Sequence, residues 1–142
     1  MKISPRIWGL ALGFLIFGPP LLFTDQKDLP LSVFGVLLGI GTVGLAIAYR
    51  ERWATIGLAA AGGFLLADVV LIIVDSIIGR YDHNLFPIEM VIFFILGLLF
   101  AMPGALLGFL AGRFLGASER LGKAVAGLAV LASFALTLYR VL

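Results

Sequence analysis

The sequence predicts an all-α, polytopic integral membrane protein with five transmembrane helices, or four if one terminal span does not cross. Of its 142 residues, 62% are hydrophobic and 13% are charged, and the mean hydropathy is +1.17. Soluble domains are roughly half apolar and about a quarter charged, so the solvent for most of this surface must be lipid. The charges are also gathered into short segments that separate five apolar runs. Those runs lack the period-2 alternation of barrel strands, and an unsatisfied backbone group is so costly in hydrocarbon that helices are the solution left. Residues 1–142 are expected to form a single transmembrane domain, with spans at about 7–23, 31–49, 54–78, 88–112 and 119–139. Each is near the ~20 residues that cross ~30 Å of hydrocarbon.

The first span follows Lys2 and Arg6 and has the outline of a signal peptide. No small-residue cleavage site follows it, so it is expected to stay as the first helix. Pro19 and Pro20 should end or kink that helix and leave Leu21 to Phe23 at the interface, because each proline removes a backbone donor. Asp25, Lys27 and Asp28 mark the turn into the second span, and Arg50, Glu51 and Arg52 form a tight link to the third. Arg80, Asp82 and His83 precede the fourth, where Pro103 should introduce a kink. The fifth span begins after a link at 113–118 and is rich in alanine and glycine.

With these spans, Lys2, Arg6, Arg50, Arg52, Arg113, Arg120 and Lys123 fall on one side, and Lys27, Arg80 and Arg140 on the other. Cytoplasmic loops carry the excess of lysine and arginine. The expectation is therefore an inner (plasma) membrane protein with its N-terminus in the cytoplasm and its C-terminus outside. Trp8, Tyr49 and Trp53 stand at the inner boundary, and Tyr81 and Tyr139 at the outer one, where interfacial aromatics belong. The charge asymmetry argues against insertion in both orientations.

Gly104, Gly108 and Gly112 recur every four residues on one face of the fourth span, and Gly116 continues the spacing. Such a face lets another backbone approach closely. It predicts either a seam between copies of the chain or, slightly favoured, a contact within it. Similar small-residue pairs at Gly9/Gly13, Gly35/Gly39 and Gly57/Ala61 make close packing general.

Asp68 and Asp75 lie in the third span, seven residues apart and so within about 20° of one helical face. Only Asp68 is deep in hydrocarbon, roughly 20 Å from the inner edge. A carboxyl there costs roughly 2.5 to 3.5 kcal/mol on insertion scales, and the span's leucines, isoleucines and phenylalanines offset it. With no lysine or arginine inside any span, Asp68 is expected to face protein. Ser133 on the fifth helix and Thr42 on the second are its candidate polar neighbours. Functionally, Asp68 with Asp75 as an outer relay suggests a proton or cation pathway; structurally, it suggests an interhelical hydrogen bond.

The segment around the single histidine holds His83, Asp82 and Glu89, which with Asp75 could hold a cation. Their spacing fits no metal signature, and Glu89 equally suits the first turn of a helix opened by Pro87. Absence of cysteine removes disulfides, thiolate metal sites and cysteine nucleophiles. No phosphate loop, nucleic-acid module or paired catalytic group is present. The expectation is a non-enzymatic protein without a cofactor, serving as a subunit or homo-oligomeric component of a membrane assembly, whose partners are the bilayer and other membrane subunits. The alternative is a small proton or cation channel or transporter built on Asp68.

Overall fold

Each apolar run becomes one helix, because a chain inside hydrocarbon can satisfy its backbone only within itself. The structure, a computed structural model, describes residues 4–23, 30–79 and 86–142. Over these, α1 spans Pro5–Phe23, α2 Leu31–Ala48, α3 Trp53–Ile78, α4 Phe86–Phe114 and α5 Glu119–Val141, with one 3-10 turn at Arg50–Arg52 between α2 and α3. All five are long and apolar enough to cross a membrane, the architecture of a multi-pass helical bundle. Half of the ends run a residue or two past the expected spans, and α2 alone stops one short, at Ala48.

Close backbone contacts fix the neighbours and their directions. A side chain on Gly13 would overlap the carbonyl of Ala60, and one on Gly63 the carbonyl of Leu10, so α1 and α3 lie backbone to backbone and run parallel. Likewise α2 meets α4 in parallel, with Gly104 against Gly39 and Thr42 and Gly108 against Val43 and Ala46. Antiparallel contacts join α3 to α4 at Gly57–Met102 and Gly97–Ala61, and α2 to α5 at Gly44–Gly122. Finally α5 returns to α1. The helices thus form a closed ring in the order α1, α3, α4, α2, α5.

Inside the ring lie Ile16, Phe17, Phe34, Leu38, Ile56 and Phe64, all at most 1% exposed. Outward stand large aliphatic residues such as Leu58 of α3, Leu99 of α4 and Leu128 of α5, an arrangement that suits a hydrocarbon environment. The row Gly104, Gly108, Gly112 packs within the chain, the slightly favoured expectation: its first two members press on α2, and Gly112 is covered by the Arg50 side chain. Gly116 lies beyond the helix with φ of 66°, in the turn before α5. Arg50 also donates to the Ala117 carbonyl, tying the α2–α3 link to the α4–α5 link. Ser118 then caps α5, accepting from the Leu121 N–H at 3.2 Å.

The helix does not end at Pro19 and Pro20: α1 continues to Phe23, and Leu21 is a core residue at 2% exposure, while Leu22 and Phe23 are exposed. Proline at position 20 removes the N–H that would bond the Ile16 carbonyl four residues earlier. The Ser133 hydroxyl of α5 donates to that carbonyl at 2.6 Å. A group released by one helix is satisfied by another, as continuation through proline in a membrane requires.

Glycine substitutions separate the two kinds of position. Gly13→Ala should cost more than the ~1–3 kcal/mol usual for overpacking, since its methyl meets backbone rather than a movable side chain. Gly62→Ala, where an added Cβ meets nothing within 4 Å, should be neutral or stabilising by about 0.4–1 kcal/mol. Reversible unfolding in mixed micelles measures both, and equal destabilisation would contradict the packing described.

Candidate functional site

The polar groups of the bundle interior sit around an aromatic plug. Phe17 and Phe64 stack with centroids 3.7 Å apart, Phe34 lies 6.2 Å from Phe17, and Phe93 lies 5.1 Å from Phe64. Four helices therefore contribute one ring each to the centre. The buried positions of α3 recur every three to four residues, from Ile56 through Ala60, Phe64 and Ala67 to Leu71. Asp68 falls on this stripe one turn beyond Phe64.

Asp68 has no accessible surface, so it faces protein as its sequence context requires. Asp75, seven residues further along the same face, is half-buried near the end of α3. The helix thus holds one carboxyl in the packed interior and the other close to the boundary. Beside Asp75, the Ser76 hydroxyl turns back to the Ile72 carbonyl at 2.8 Å. Glu89 lies in the first turn of α4, half-buried, where the helix dipole favours a negative group.

The two hydroxyl candidates are used differently. Thr42 is fully buried and donates to Gly39 of its own helix at 2.8 Å. It shares the level of Gly57 through the α4 segment that both contact, eleven residues short of Asp68 and so ~16 Å away along the bundle. Thr42 is therefore a packing residue of the α2–α4 seam, where its Oγ1 lies against Gly104. Ser133, fully buried, is nearer in depth to Asp68, but its proton goes to Ile16.

One polar residue escaped the sequence reading. Thr137, 4% exposed, lies one turn beyond Ser133 and donates to the Ser133 carbonyl at 2.8 Å. It completes a stripe of Gly122, Ala126, Ala129, Ser133 and Thr137, the buried face of α5. That spacing was legible in the sequence, hidden by a composition that looked merely small and weakly apolar. His83 and Asp82 lie outside the described residues. Among the described residues, no group of three His, Asp or Glu side chains gathers to hold a metal.

Chemically, the interior of the described residues offers a fully buried carboxyl, hydroxyls that donate to backbone carbonyls, and an axis filled by aromatic rings. Comparison with known protein families, with curated proteins and with solved structures finds no match to this chain.

The hydroxyls predict unequal consequences. Ser133→Ala removes the bond between α5 and α1 and should cost about 0.6–2 kcal/mol. Thr137→Val removes only a bond within α5, whose carbonyl acceptor already has its helical partner, and should change stability by less than about 0.5 kcal/mol. Unfolding of the two variants under identical micelle composition compares them directly, and a larger loss for Thr137→Val would contradict the assignment.

Proposed function

We propose that this protein is a non-enzymatic subunit of a membrane assembly, a closed helical bundle whose contacts with other subunits run through its lipid-facing helices. The observation that carries this reading is the filled axis: Phe17, Phe34 and Phe64, with Ile16, Leu38 and Ile56, occupy the place where a conduit would run. Such a centre suits a component that holds its shape rather than one that passes a solute. With its glycine row spent on α2, the chain meets partners through faces such as Ile88, Val91, Ile95 and Leu99 of α4, all exposed. Arg6, Arg50, Arg52, Arg113, Arg120 and Lys123 gather at one end of the bundle. That charge supports an inner-membrane orientation with this end and the N-terminus in the cytoplasm and the C-terminus outside. No cofactor enters this reading.

A second reading is favoured by one observation, the complete burial of Asp68. Intramembrane carboxyls commonly mark proton or cation paths. In that case the aromatic plug is one state of a gate, and Asp68 with Asp75 binds the transported ion.

Proteoliposomes carrying the wild type or Asp68→Asn, assayed for proton and monovalent-cation flux with insertion checked in parallel, decide between the two. The subunit reading predicts flux no greater than in protein-free vesicles for both. Flux in the wild type that is lost in a folded, inserted Asp68→Asn protein would overturn it and establish transport.

A further inference from the structure

The seam between α1 and α5 is closed at one half and open at the other. Beyond its middle, the Ser133 hydroxyl reaches the Ile16 backbone and the two helices touch. Toward the basic end they part around a groove of about 330 Å3 whose floor is supplied by α2. Leu12 and Leu15 of α1, Leu45 of α2, and Ala126 and Val130 of α5 make its walls apolar. At Gly127 an added Cβ would meet nothing within 4 Å, so α5 presents open space where the other helix pairs are in backbone contact.

Polar chemistry is confined to the end of the groove. Trp8, Tyr49 and Lys123 stand there together, with the Lys123 ammonium 5.9 Å from the Tyr49 ring centroid and 2.5 Å from Glu119. Glu119 occupies only part of an ammonium that carries three donors. Arg120 lies three residues before Lys123, on the same face of α5. Arg120 does not itself line the groove, but with the other arginines at this end it makes the surroundings of the Lys123 rim positive.

The geometry points to a binding site for one acyl chain of an anionic phospholipid, with the chain in the α1–α5 groove and its phosphate at Lys123, Trp8 and Tyr49. The lining selects an apolar chain that carries a charged head: the walls are apolar along the groove, and its polar groups, Trp8, Tyr49 and Lys123, stand together at one end. Its volume of about 330 Å3 gives room for part of one acyl chain. Lipid tails are as apolar as leucine, so transfer from the bilayer adds little by itself. Retention comes from filling the void and from the charged rim, and the rim therefore sets the preference for an anionic headgroup. This site stands independently of the subunit and transport readings, since neither uses the groove.

The test is native mass spectrometry and lipid extraction on protein purified from phosphatidylcholine vesicles with and without phosphatidylglycerol. Wild type should carry phosphatidylglycerol in preference to phosphatidylcholine. Gly127→Phe places a ring in the open groove and should lower lipid retention by about tenfold or more with unchanged thermal stability. Gly127→Leu should give an intermediate loss, and Lys123→Gln should abolish the headgroup preference while the chain is still held. Wild type without retained lipid, retention without headgroup preference, or Gly127→Phe protein that holds phosphatidylglycerol as well as wild type would each overturn the proposal. So would a lipid-free dimer that Gly127→Phe dissociates.

Discussion

In hydrocarbon, a carbonyl released by proline has no water to turn to, and the Ile16 carbonyl is released in this way by Pro20. The Ser133 hydroxyl meets it from α5, 117 residues further along the chain. This bond satisfies the carbonyl where α1 runs on to Phe23, which places Leu21 in the core, and it ties α5 to α1 where the ring closes. Besides it, α5 is held chiefly by α2, on its glycine and alanine face, and by a smaller contact with α1. A helix whose outward side is nearly all lipid-facing needs such an anchor, because no hydrophobic gain draws helices together inside a bilayer.

The same bond divides the α1–α5 seam. On its far side the buried Ser133 and Thr137 lie within the depth range of Asp68; on its near side the helices separate over an apolar groove that ends among basic and aromatic residues. The stack of Phe17 on Phe64 lies one turn from Asp68 on the side of the basic end. Small residues make this division possible. Where glycine or alanine faces a neighbour at Gly13, Gly63, Gly44 and Gly122, backbones meet; where Gly127 faces none, a void is left.

Much of the bundle was legible from composition. Five apolar runs cross a membrane for reasons that do not depend on packing, so their existence followed from hydropathy and length alone. The close-packing face of Gly104 and Gly108 was legible too, but the sequence could not say which helix lay against it, and α2 was decided by tertiary arrangement. That α1 would run on past Pro19 and Pro20 was not legible, because the local rule counts a lost donor and is blind to a distant hydroxyl that meets the released carbonyl. Thr42 was misplaced beside Asp68, since facing positions depend on the register of helices joined through a third. The lateral groove left no local signal at all, because an unfilled space is a property of two helices diverging and not of either sequence.

A double-mutant cycle of Pro20→Ala and Ser133→Ala, read by reversible unfolding in mixed micelles, measures the central bond most directly. Alanine at position 20 restores the N–H that the Ile16 carbonyl lacks, so Ser133 should then matter less. The account predicts that Ser133→Ala costs about 0.6–2 kcal/mol in the wild type and markedly less in the Pro20→Ala background, a coupling of at least about 0.5 kcal/mol. Additive losses, with the serine equally valuable in both backgrounds, would contradict it and leave the continuation of α1 through two prolines to some other cause.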